Sequence, residues 1–158
     1  MTAHHLAQFN VGVLRHPLDD PRTAGFTDML EPINKVADGA PGFVWRLVDD
    51  GGADATSLRP LGDDVIVTMS VWETREALWE FVYRSGHLDL LRRRGEWFVR
   101  PDEADQVLWW VPAGHTPTLE EGVERLELLR REGPGPRAFT FRDDYAPVRA
   151  EAPMRAQA

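Results

Sequence analysis

The chain has 158 residues, 42% of them hydrophobic, and its 18 basic and 26 acidic side chains give a net charge of −8. One domain's worth of length with enough apolar content for a core is expected, and the acidic balance argues against nucleic acid or an anionic membrane as partner, since both are bound through basic surfaces. Cysteine is absent, which excludes disulfides, thiolate metal sites, iron–sulfur clusters and cysteine nucleophiles together.

The N-terminal MTAHHLAQFNVGVL lacks the basic region and long apolar run of a signal peptide, and no stretch reaches the length of a membrane span. A cytoplasmic protein that binds a small molecule or another chain is the expectation. From His4 to Leu14 the residues alternate as a strand: His5, Ala7, Phe9, Val11 and Val13 share one face, and Leu6, Gln8, Asn10, Gly12 and Leu14 the other. A Pro- and Asp-rich connection leads to a helix over Thr23 to Asp38, which Pro32 is expected to kink or split. After GAPG the spacing predicts a strand from Phe43 to Asp49 with Arg46 opposite Phe43, Trp45 and Leu47, then a mobile Gly-rich loop.

The stretch from Asp64 to Phe98 organises the rest. Its strand, ending at Trp72, puts Val65, Val67, Met69 and Val71 on an apolar face and Ile66, Thr68, Ser70 and Trp72 on a mixed one. Helical spacing follows from Glu73 to Ser85, with Thr74 as N-cap and Gly86 as a left-handed stop. A basic aromatic loop carrying His87, Arg92, Arg93, Arg94 and Trp97 is expected next. Gln106 to Val111 predicts a further strand. A helix opened by Thr118 with Glu120 and Glu121 presents Val123, Leu126, Leu128 and Leu129 and closes at Gly133, and Ala138 to Phe141 forms a short last strand. Residues 1–142 are expected to form one domain and 143–158 a disordered tail.

The order βαββαβ with an appended helix and strand predicts a ferredoxin-like α+β subunit, an antiparallel sheet with helices on one face. The apolar face is expected to meet those helices. The mixed face, with Gln8, Asn10, Thr68, Ser70 and Trp72, would then line a cavity enclosed by the sheet of a second copy, making a homodimer.

His87, just past a helix end, is the first candidate for acid–base or ligand chemistry near neutral pH. Asn10 and Gln8 are candidates to hold a carbonyl or enolate oxygen, and Trp72, on the same face as Thr68 and Ser70, to contact a substrate. One arginine of Arg92, Arg93 and Arg94, with Arg94 as the candidate, is expected to turn inward and clamp an anion, and at least two to lie on a solvated helix face. Trp79, Trp97, Trp110 and His115 complete the candidate substrate contacts. No metal site is expected, because His4 and His5 point apart and no HxH or HxxxH spacing occurs. Dinucleotide, Walker and nucleophile-elbow motifs are also missing.

SVWETREALWEF resembles the corresponding stretch of the antibiotic-biosynthesis-monooxygenase group of dimeric α+β barrels. The segments LAQFNVG, APGFVWRL, MSVWETREALWEFVYRSGH, RRRGEWF, LWWVPAGHTPT and AFTF together resemble a domain-of-unknown-function family, number 3291, of similar fold. The resemblance implies a dimeric α+β barrel in a superfamily of cofactor-free oxygenases, muconolactone-type isomerases and haem-binding or haem-degrading proteins. The expectation is thus a small-molecule enzyme, a cofactor-independent monooxygenase acting on an aromatic or polyketide-like secondary metabolite. The alternatives are a non-redox isomerase or cyclase, a haem protein in which Asn10, Trp79 and His87 match the haem-degrading relatives in type and order, and a binding module without catalysis.

Overall fold

The computed structural model describes residues 3–147. Four strands, β1 (His4–Val13), β2 (Phe43–Arg46), β3 (Val65–Trp72) and β4 (Gln106–Pro112), form one antiparallel sheet in the order β2-β3-β1-β4. The helices are α1 (Ala24–Asp38), α2 (Arg75–Arg84), α3 (His87–Arg93) and α4 (Leu119–Glu132). This is the ferredoxin-like α+β arrangement, with α4 and the segment after it appended.

Alternation along β1 and β3 carries through the register: Leu6 pairs with Trp72, Gln8 with Ser70, Asn10 with Thr68 and Gly12 with Ile66. Across the other edge of β1, Trp110, Leu108 and Gln106 stand opposite Leu6, Gln8 and Asn10. These residues make up the mixed face.

Which helices cover which face differs from expectation. The mixed face lies beneath α1 and α2: Leu6, Trp72 and Leu108 pack with Ala37, Leu78 and Val82, while Gly12 sits against the Phe98 ring. The apolar face, with Ala7, Phe9, Val67, Met69, Val71, Val107, Trp109 and Val111, is covered instead by Leu126 and Leu129 of α4. Leu47 and Leu58 from the β2–β3 connection join the same core. Each fully buried leucine here contributes about 1.5–3 kcal/mol of hydrophobic stabilisation. Gly122 makes the close approach of α4 to the sheet achievable, because a Cβ at that position would meet Phe9 Cδ1 at 2.8 Å and Met69 Sδ at 3.1 Å. Within the described residues α4 and the β2–β3 connection thus lie over much of the apolar face, and α1 with α2 over the mixed one.

The helix ends follow their sequence signals. Thr74 Oγ1 accepts from Ala77 N and Thr118 Oγ1 from Glu121 N, and Gly133 closes α4 at φ +79° with its N–H on Leu129 O. Gly86 does not act as a left-handed stop. It has φ −59°, the turn is made at Ser85, and the helical path resumes as α3, so the expected loop is a helix followed by a 3-10 turn at Arg94–Glu96. Pro32 lies inside α1 without splitting it.

Strand β2 is shorter than predicted, and a bulge between Phe43 and Trp45 puts Phe43 on the mixed face and Trp45 on the apolar one. The expected strand from Ala138 to Phe141 is reduced to one isolated bridge beside β4, in which Phe139 and Leu108 of the same chain exchange N–H···O bonds of 2.7 and 2.9 Å. Residues 143–147, expected to be disordered, are partly tied down. Arg75 donates to the carbonyls of Phe141 and Asp143, and Trp110 Nε1 donates to Tyr145 O at 2.7 Å. The remainder of the expected tail lies outside the described residues.

Candidate functional site

The mixed face of the sheet holds the polar groups that the fold leaves unused. Gln8 and Ser70, paired across β1 and β3, are 7% and 9% exposed. Gln8 Nε2 donates to Ser70 Oγ at 2.8 Å, and Trp72 Nε1 donates to the same oxygen at 2.9 Å. Gln8 Oε1 and, two residues along on the same face, Asn10 Oδ1 are sealed from solvent with no hydrogen-bond partner. An unpaired buried acceptor costs about 1–3 kcal/mol. Two such oxygens side by side are therefore a feature that local stability does not explain. Thr68, opposite Asn10, is exposed, because β2 ends at Arg46 and leaves this part of β3 open at its edge.

Trp72, at the other end of this face, is fully buried. Phe43 meets it edge-on at 5.4 Å, and Phe81 of α2 stacks on it at 5.1 Å with 25° between planes. The opposite side of the chain of rings is His87, whose imidazole lies 5.0 Å from Phe81. A continuous run of contacts thus joins His87 through Phe81, Trp72 and Ser70 to Gln8.

His87 opens α3, with Nδ1 3.4 Å from Val82 O and its backbone N–H on Ser85 Oγ. A proton on Nδ1 donates to that carbonyl and leaves Nε2 with its lone pair free. Burial, only partly opposed by the Val82 carbonyl, lowers the imidazole pKa below its usual value. His87 is accordingly neutral at pH 7, the form a general base requires.

Other sequence candidates are placed elsewhere. Arg94 is exposed, and its carbonyl accepts from the N–H groups of Trp97 and Phe98 in the turn after α3. Arg93 forks onto Glu96 and covers Trp97 at 4.8 Å, and Arg92 is exposed, so no arginine of the run reaches the amides as a clamp. Trp97 is a core residue against Phe26 and the start of α1. Trp79 is 40% exposed on α2, packed with Tyr83 and Phe141. The Asn10, Trp79 and His87 set associated with haem-degrading relatives is consequently not assembled around one space. Trp110 does stand on the mixed face, but its indole N–H is taken by Tyr145 O.

His115 belongs to a separate cluster beside α4. Its Nε2 lies 2.8 Å from Glu121 Oε1, and Glu121 Oε2 accepts from Trp109 Nε1 at 2.9 Å. Trp109 is on the apolar face, so this cluster is divided from Asn10 by the sheet. It borders an open cleft of about 630 Å³, and a second of about 600 Å³ lies between the end of α1 and α2. Neither is lined by Gln8 or Asn10. Among the described residues no group of three or more metal-ligating side chains is placed to hold an ion, and no helix is long and apolar enough to cross a membrane.

Three participants escaped the sequence reading. Phe81 joins Trp72 to His87, a link that the helical stripe alone could not reveal. Glu121 was legible only as a first-turn acidic residue. Gln106 stands opposite Asn10 on the mixed face, and the alternation running back from Trp110 through Leu108 was the signal for it.

No curated protein matches the chain in sequence. Among solved structures it is similar to the NE2512 protein of unknown function from Nitrosomonas europaea, at 11% identity and TM-score 0.46 over 73% of this chain and 94% of that one. It is similar also to SnoaB, a cofactor-independent oxygenase from Streptomyces nogalater, at 14% identity and TM-score 0.44 over 74% and 98% of the two chains. Rv0793 from Mycobacterium tuberculosis is similar at 14% identity and TM-score 0.46 over 73% and 98%. Residues 5–155 match the family described as a domain of unknown function, DUF3291, and the chain belongs to that family.

Proposed function

We propose that the chain is a small-molecule enzyme whose substrate lies on the mixed face of the sheet beneath α1 and α2, and that it carries out proton abstraction followed by cofactor-independent oxygenation. The observation that carries this reading is the pair of sealed, unpartnered amide oxygens, Gln8 Oε1 and Asn10 Oδ1. Such groups in a native protein call for a partner. A substrate with hydroxyl or N–H groups supplies it, and the aromatic lining of this face, Phe43, Trp72 and Phe81, suits an aromatic molecule.

In this reading the substrate reaches from the amide oxygens past Trp72 and Phe81, and the neutral His87 takes a proton from its far end at Nε2. The resulting anion gives electrons to dioxygen. One oxygen atom stays on carbon as a carbonyl, and the other leaves as water with the substrate's two hydrogens, so that the substrate supplies all four electrons that reduce dioxygen. Entry is from the Thr68 side.

The test follows dioxygen consumption with a panel of phenols and enolisable ketones. Uptake that depends on His87 and falls in Asn10→Ala is the expected result. Complete conversion under strict anaerobiosis would overturn the oxygenation and leave isomerisation by the same base. A Soret band on haem titration that disappears in His87→Ala would overturn the cofactor-free reading.

A further inference from the structure

Ser70 is more than a strut between Gln8 and Trp72. Its hydroxyl oxygen has two lone pairs, and both are engaged, one by Gln8 Nε2 at 2.8 Å and one by Trp72 Nε1 at 2.9 Å. An indole nitrogen can only donate, so the Trp72 bond fixes the hydroxyl as an acceptor on that side. Its proton must then point elsewhere, and among the described residues no acceptor receives it. Two N–H groups on one hydroxyl oxygen also polarise its O–H bond and make it a stronger donor.

We propose that Ser70 is the hydrogen-bond donor of the site and that it sets the class of ligand. Resting on the site reading above, this assigns three groups to a ligand: the Ser70 O–H as donor, and Gln8 Oε1 and Asn10 Oδ1 as acceptors. The complementary molecule carries an oxygen acceptor, such as a carbonyl, for Ser70 and at least one hydroxyl or N–H for the amide oxygens. A hydroxy-carbonyl compound is the class selected. Molecules offering only an ether or only a ketone leave the amide oxygens unpaired, and molecules offering only a hydroxyl leave the Ser70 proton unused.

The experiment uses 4-hydroxyacetophenone labelled with ¹³C at its carbonyl, with unlabelled phenol and acetophenone as probes lacking one function each. Binding is followed by tryptophan fluorescence, and the bound carbonyl by infrared difference spectroscopy. In the wild-type protein the hydroxyketone binds more tightly than either single-function probe, and its carbonyl band moves to lower frequency than in an aprotic solvent. In Ser70→Ala the band returns to the aprotic position and the hydroxyketone loses roughly fivefold more affinity than phenol does. Ser70→Thr keeps the wild-type frequency. Should Ser70→Ala not fold, Ser70→Cys, a weak donor of similar size, is expected to move the band part of the way back.

A folded Ser70→Ala or Ser70→Cys whose bound ketone keeps the wild-type frequency overturns the assignment. That outcome means that Ser70 gives its proton to Gln8 with the amide turned end for end. Failure of all three probes to bind the wild-type protein overturns the site reading itself, and is thereby distinguished from failure of the Ser70 assignment alone.

Discussion

Replacing Asn10 by leucine should stabilise the protein and disable it at once. Asn10 Oδ1 is sealed without a partner. Desolvation of such an oxygen opposes folding by about 1–3 kcal/mol, and leucine of nearly the same shape removes that opposition. The residue is only partly buried, so the lower end of the range applies, about 1 kcal/mol. For a chain of this size that raises Tm by about 2–4 °C. Paired thermal and urea unfolding give the measurement, with fluorescence titration of 4-hydroxyacetophenone on the same samples. The expected result is higher Tm, unchanged urea m-value and binding weakened by roughly tenfold. Destabilisation by 1 kcal/mol or more with the same m-value would refute the reasoning, because Asn10 would then have a partner within the fold.

Gly122→Ala should cost about 1–3 kcal/mol, since its Cβ would press on Phe9 and Met69 where α4 crosses the sheet; urea unfolding reads this, and no loss would mean that α4 does not lie on that face. Val67→Asp buries an unpaired charge in the same core and should leave the protein unfolded by circular dichroism, whereas a folded variant would show the apolar face to be open. Glu121→Ala strands the indole N–H of the buried Trp109 and should destabilise by about 1–3 kcal/mol, with His115→Ala costing less because its imidazole is largely exposed. Because burial lowers the His87 pKa in the folded protein, the unfolded chain binds the proton more readily. Stability should therefore fall as pH drops below about 6.5 and level off below the folded pKa, and His87→Gln should remove that part of the decline. An unchanged stability profile from pH 7 to 5 in His87→Gln would contradict its burial.

Much of the fold was legible because its signals are local. Period-two alternation gave both faces of β1 and β3, Thr74 and Thr118 announced their helices, and Gly133 ended α4. That Gln8, Asn10, Ser70 and Trp72 share one face was legible for the same reason, although that face was expected to meet a second copy and lies instead against α1 and α2. What alternation cannot say is which element covers a face. An amphipathic helix offers the same apolar stripe to either side of a sheet, so α4 on the apolar face and α1 with α2 on the polar one were beyond the pattern. The β2 bulge reversed Phe43 relative to Trp45 through a backbone irregularity with no residue signature. Arg92, Arg93 and Arg94 read as a loop with one inward clamp because charge conceals helical spacing, yet Leu88 and Leu91 turn that segment into α3 and its first turn seats His87.

A crystal structure of the protein soaked with 4-hydroxyacetophenone tests the central claim most directly. Density is predicted on the mixed face between the sheet and α1 and α2, with the ligand hydroxyl within hydrogen-bond distance of Gln8 Oε1 or Asn10 Oδ1. Density confined to the His115 cleft, or Gln8 and Asn10 both paired to protein groups with no space above them, would contradict it.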